Sequence, residues 1–184
     1  RGARRRRAQA RRVAVRPIPA HSRSTSSTWV QKKAALTLAH LYRVFPEGVR
    51  LGEWSAHLAR LVRHRNLGVS LSAAHLLCVV VRDDPHAFRA CYRAAVDQLH
   101  QVVVDEDYKE IYLFHGLPVP WLQAALLRLL QRYPPTADAA LLARLEAVLG
   151  TVLRVEQRAD AADVQQRNAA TAVVLEAVRL ALHL

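Results

Sequence analysis

Between Leu117 and Pro135 the chain reads LPVPWLQAALLRLLQRYPP, and its apolar positions fall three and four residues apart, at Leu122, Leu126, Leu129, Leu130 and Tyr133. That step draws one apolar stripe along a helix. Pro120 suits a first helical turn, where its missing N–H has no intrahelical partner, and Pro134 with Pro135 ends the helix. Similar stripes recur before and after it. A first helix is predicted from a Thr28 to Gln31 capping box, with Leu38, Leu41, Tyr42 and Phe45 facing inward, and stops at Pro46 and Gly48. A second runs from about Leu51 to His64, with Trp54, Leu58, Leu61 and Val62 inward, and is broken at Asn66 to Gly68.

A third helix spans about Val69 to Arg82, and Asp84 with Pro85 forms a cap and first-turn pair that opens a fourth, reaching about Val104. The segment Asp105 to Pro120, DEDYKEIYLFHGLPVP, is predicted as a long, flexible, acidic and aromatic connection. After the fifth helix, a sixth from about Asp138 to Leu153 places Leu141, Leu145, Val148, Leu149 and Val152 on one face, and a seventh starts near Ala162. Helix starts near positions 29 and 69, and near 51 and 85, recur at the roughly 33 to 47 residues of helical-hairpin repeats. Periodicity alone also permits a compact bundle. Short helices with a recurring pair length favour an all-α, HEAT- or armadillo-like α-solenoid, in which each pair seals the stripe of the next. The stripe is still open at Leu184, and no methionine occurs in the chain, so a fragment of a longer helical array is expected.

Composition divides the chain in two. The net charge is +12, yet residues 1–28 hold nine arginines and no acid, which leaves eighteen basic and fifteen acidic side chains for the rest. Arg, Ser, Ala and Pro dominate that first segment, which buries too little apolar surface to offset ordering. It is read as a disordered basic tail, with residues 29–184 as the helical-repeat domain. An acid-free Arg and Ser segment also resembles a transit peptide or a nucleic-acid-binding arm, although Pro17 and Pro19 interrupt any amphipathic helix. Ala-rich, aromatic-poor composition fits closely packed helices. No apolar run approaches the ~18 residues of a membrane span.

The chain carries few candidates for chemistry. The six glycines are scattered and form no phosphate-cradling loop, no H-E-x-x-H occurs, and the two cysteines, Cys78 and Cys91, lack metal-ligand spacing. His57 and His64 share a helix face without a carboxylate to complete a site. The acids of the 105–110 cluster sit in a polar connection, where solvation is the default. No catalytic residue, metal or cofactor is implied. The candidate contact residues are basic: Arg60, Arg63, His64 and Arg65 on and after the second helix, with Lys32 and Lys33 on the first. Three- and four-residue steps set Arg60 beside Arg63 and His64, where they suit an acidic partner or lipid headgroup.

Four segments carry a resemblance in consistent order: VQKKAALTLAHLYRVFPEGVRLGEW (30–54), YLFHGLPVPWL (112–122), PWLQAALLRLLQRYPP with the helix ending LEAVLGTVL, and QQRNAATAVVLEAVRLALH (165–183). Together they resemble the middle of the trunk of the α-adaptin family, large subunits of the endocytic clathrin adaptor complex, from about Thr28 to Leu184. The resemblance implies a non-catalytic α-solenoid scaffold that embraces a small subunit and pairs with a second large subunit. It implies a cytoplasmic protein, peripheral on the plasma membrane at clathrin-coated pits and tied to membrane and clathrin through the complex. The family's phosphoinositide-binding lysines lie upstream of the matched stretch and are not carried over. The alternative from another class is a nucleic-acid-associated helical-repeat protein that binds through the Arg-rich tail.

Overall fold

A helix with one apolar stripe is stable only where a neighbour covers that stripe, so the order in which helices cover one another is the architecture. The computed structural model describes residues 25–158 and 163–184. It comprises α1 (Thr25–Val44), α2 (Ser55–Val62), α3 (Leu67–Val80), α4 (Arg89–Val103), α5 (Pro120–Leu130), α6 (Ala139–Arg158) and α7 (Val164–Ala181). A short hairpin of β1 (Leu113–Phe114) and β2 (Leu117–Pro118) lies between α4 and α5. Helices α1, α3, α5 and α7 stack in order as one row, and α2, α4 and α6 as the other, with α2 against α3, α4 against α5 and α6 against α7 joining the rows. This is the all-α, two-row solenoid that the helix spacing predicts.

The core lies where the rows meet. Leu58, Leu61, Leu76, Leu77, Leu99, Leu122, Leu126, Leu129 and Leu145 are almost wholly removed from water. All of the predicted inward positions of α5 and α6 are buried, and so are Trp54, Leu58, Leu61 and Val62 on the second helix. Helix α3 has neighbours in both rows and is apolar on most of its circumference, from Leu67 through Ala73 and Ala74 to Val80. Its start is set by Asn66, whose side-chain oxygen accepts from the N–H groups of Gly68 and Val69. Ser70 and Ser72 are buried inside this helix without loss, because their hydroxyls donate to the carbonyls of Val62 and Gly68.

Four expectations are corrected. The inward face of α1 is Gln31, Ala35, Leu38 and Ala39, with Tyr42 partly covered, whereas Leu41 and Phe45 are exposed. Small side chains let α1 approach α3 closely, so the larger residues point elsewhere. Thr28 does not cap this helix, which already includes Thr25. Asp84 accepts from the N–H of Ala87, but the turn it caps does not continue, and α4 starts at Arg89 after Phe88 turns into the core.

The 105–120 connection is ordered, not flexible. Asp105 and Asp107 are held by His100 and Gln101, Tyr108 and Tyr112 pack on the core, and His115 and Gly116, with φ of 47° and 77°, close the hairpin. The buried amide of Gln123 donates to Pro118 O at 2.6 Å, His115 Nδ1 lies 2.7 Å from Asp163 Oδ2, and Gln166 donates to His115 O at 2.8 Å. The hairpin is thereby fastened to α5 and α7. Asp163, besides meeting His115, caps α7 by accepting from Gln166 N. At the joint into α5, Val119 takes a left-handed φ of 40°, a conformation a β-branched residue rarely adopts. Its N–H donates to Tyr112 O, and its carbonyl accepts from Leu122 and Gln123, which hold it there. The tail assigned to residues 1–28 lies, up to residue 24, outside the described residues, and its last four residues, 25–28, are instead the first turn of α1.

Candidate docking surface

The six basic residues singled out from sequence are divided among separate places. Arg60 and Arg63 project from α2 into a groove of about 1060 Å³ that runs between α2, α4 and the loop from Tyr133 to Asp138. Arg63 also lines a smaller cleft of about 390 Å³ with His64 and Arg65, closed on the far side by Tyr108, Lys109 and Tyr112. Lys32 and Lys33 join neither. A side chain added at Gly68 would meet the stem of Lys32, which places that lysine at the start of α3, while the Lys33 ammonium lies 5.8 Å from the ring centre of exposed Trp29.

His64 is not part of the positive charge. Its Nδ1 accepts from the N–H of Asn66 at 2.9 Å, and burial holds the imidazole below its ordinary pKa, so the ring is neutral near pH 7. In the larger groove Arg60 and Arg63 are joined by two further arginines that the sequence did not point to, Arg89 and Arg93 on α4. They are four residues apart and share a helix face. Arg93 reaches Asp138 at 2.8 Å, and Asp97 is shared by Arg63 at 3.4 Å and Arg144 at 2.6 Å. Arg60 donates to His57 Nδ1 at 3.3 Å. Neither Arg60 nor Arg89 has a carboxylate partner among the described residues. Tyr92 also lines the groove, stacked edge-on against Tyr133 with ring centres 5.3 Å apart. The Tyr133 hydroxyl donates to Phe88 O, whereas the buried Tyr92 hydroxyl has no partner among the described residues.

A second charged cluster, between α5 and α7, is closed. Glu176 is only 5% exposed, and Arg128 donates to its Oε1 through Nη2 at 2.7 Å and Nε at 3.2 Å. Gln131 donates to Glu176 Oε2 and to its backbone oxygen, both at 3.1 Å, and Arg179 adds a contact at 3.3 Å. Burial alone would raise this carboxyl, but the hydrogen bonds from Arg128 and Gln131 and the charges of Arg128 and Arg179 outweigh it and hold it below the ordinary glutamate value. The acid is a structural clasp, ionised and saturated.

The thiols are equally quiet. Burial pushes Cys78 up to about 11 and Cys91 up to about 12, and their Sγ atoms lie 3.6 Å from Ala125 O and 3.4 Å from Ser55 O. Thiolate character at neutral pH is negligible at such values. Among the described residues no three His, Cys or carboxylate side chains gather as a metal site, and no helix is long and apolar enough to cross a membrane.

Stacked helix pairs in two rows define a helical-repeat protein. More narrowly, the chain belongs to the adaptin N-terminal family, whose model for the adaptin N terminal region matches residues 10–184. That match begins well before Thr28, where the resemblance read from sequence starts. The chain is 34% identical to AP-2 complex subunit alpha-1 of Arabidopsis thaliana, over 84% of its own length and 15% of that protein. It is 34% identical to AP-2 complex subunit alpha of Schizosaccharomyces pombe, over 83% of its length and 17% of that protein, and 30% identical to AP-1 complex subunit gamma-like 2 of Mus musculus, over 83% and 18%. The chain thus spans less than a fifth of the length of these relatives.

Proposed function

We propose that this chain is a non-catalytic scaffold segment of a clathrin adaptor large subunit, acting in clathrin-mediated endocytosis and intracellular protein transport. Its work is binding: residues 25–184 form a helical-repeat surface that holds a small subunit and a second large subunit in one complex, preceded by a basic tail. The complex brings it to the cytoplasmic face of coated pits at the plasma membrane. The observation that carries this reading is the adaptin match along residues 10–184, together with the two-row stack and its buried helix-to-helix seams. The candidate basic residues Arg60, Arg63 and Arg65, with Lys32 and Lys33, act in it as contacts for acidic groups, and His64 as a neutral neighbour.

Affinity capture from cytosol with the full chain tests it. Recovery of adaptor small and large subunits that persists at high salt is the expected result. Recovery of ribonucleoprotein that salt removes, and that is lost when residues 1–24 are deleted, would instead establish nucleic-acid binding through the nine-arginine tail.

A further inference from the structure

We infer that the groove between α2, α4 and the Tyr133–Asp138 loop is a docking site for an extended acidic peptide segment, read by Arg60, Arg63, Arg89 and Arg93. The inference deepens the surface-binding role proposed above and rests on it for the setting, though not for the chemistry. Two helices packed side by side put their axes about 8–10 Å apart. Arg60 and Arg63 on one, and Arg89 and Arg93 on the other, therefore form two short rows of guanidinium groups along a single channel. Neighbours at three- and four-residue steps are about 5–6 Å apart at Cβ. Side chains on one side of an extended peptide recur every ~6.6 Å. Alternate acidic residues thus keep step with the arginine rows.

The lining favours this occupant over a single phosphate group or a bilayer. Among the described residues, Asp138 is the only acid that lines the groove, against four arginines. The protein's own carboxylates already show how these groups are used, since Asp138 takes Arg93 and Asp97 takes Arg63. Among the described residues Arg60 and Arg89 have no carboxylate partner, and the Tyr92 hydroxyl has no hydrogen-bond partner. A volume of about 1060 Å³ is far larger than one phosphate group needs, and it fits a length of chain. Basic faces that lie on bilayers flank their charges with broad exposed apolar side chains. This groove is flanked by Ala56, Ala90, Pro134 and Pro135, and none of the large exposed apolar side chains lines it.

Fluorescence anisotropy of a labelled Glu-Ser repeat peptide with the full chain is the direct test. Binding that weakens as salt is raised is expected, with no binding of a Gln-Ser repeat. The double reversal R60E/R89E should weaken the Glu-Ser peptide by about tenfold, the loss expected from two exposed charge pairs near 0.7 kcal/mol each. It should also confer binding of a Lys-Ser repeat. Both positions are exposed, so far-ultraviolet circular dichroism should be unchanged. R43E, at an exposed position of α1 that does not line the groove, should leave the peptide affinity unaltered.

Equal losses in R43E and R60E/R89E would reduce the effect to net charge and overturn the groove. So would an affinity unmoved by R60E/R89E, or binding to phosphoinositide-containing vesicles without binding to the peptide. Absence of peptide binding from a chain that still captures adaptor subunits would sink the groove and spare the scaffold; peptide binding without subunit capture would do the reverse.

Discussion

Arg128 on α5 and Arg89 on α4 belong to packed neighbouring helices and both expose their guanidinium groups, yet one is committed and the other is not. In the α5–α7 row a glutamate sunk to 5% exposure draws Arg128, Arg179 and Gln131 onto itself. In the α2–α4 row the available carboxylates, Asp97 and Asp138, stand at the partly exposed edges and capture only some of the arginines. The charge and exposure of the arginine are alike in both places. Burial of the acid is what differs, and it separates a structural clasp from a surface still open to a partner.

The largest effect should come from a site with no charge at all. Leu126→Ala, in the seam that both rows share, should lower stability by about 2–5 kcal/mol in denaturant melts; a loss well under 1 kcal/mol would mean that the seam is loosely packed. Glu176→Ala should cost less, about 1.5–3 kcal/mol, because Arg128 is half-exposed and turns to water once its partner is gone. The pH dependence sharpens this second case. Glu176 has a folded pKa below its unfolded one, so its contribution is present above the ordinary glutamate range and is lost as pH falls through the depressed folded value. Thermal melts of Glu176→Gln should converge with wild type in that acidic window, and parallel curves across it would contradict an ionised clasp.

On the open side the same experiment should read small. Asp97→Asn removes two partly exposed pairs, with Arg63 and Arg144, and should cost about 0.2–1 kcal/mol. Arg89→Ala should fall within about 0.5 kcal/mol of wild type in the same melts. A loss at Arg89 as large as that at Glu176 would erase the distinction between the two rows.

Some of this was legible from residue order and some was not. Where large apolar residues do the packing, as in α2, α5 and α6, three- and four-residue steps identified the inward face. They failed in α1, because Ala35 and Ala39 make the seam and the eye follows Leu41 and Phe45, which face out. Asp84 and Pro85 gave a sound local signal for a helix start, but one turn satisfied it before Phe88 redirected the chain. The hairpin at 113–118 was hidden because its turn is His-Gly, a weaker cue than Asn-Gly, and its ties to Gln123, Asp163 and Gln166 come largely from distant positions.

The charged clusters were hardest. Glu176 reads as one acid in VVLEAVRLAL and Arg128 as one base in LLRLL; only tertiary folding brings positions so far apart in sequence to 2.7 Å. The groove was half visible, since Arg60 and Arg63 share a helix. Arg89 and Arg93 sit on another, and nothing in their own segment announces the meeting.

Helix α1 leans chiefly on α3, while α3, α4 and α5 are each braced by several neighbours. Where every unit touches only the next, loosening propagates like a zip, from the least braced unit inward. Amide hydrogens of α1 should therefore exchange with deuterated water soonest and those of α3 to α5 last, giving a graded clock along a molecule whose helices are otherwise built alike.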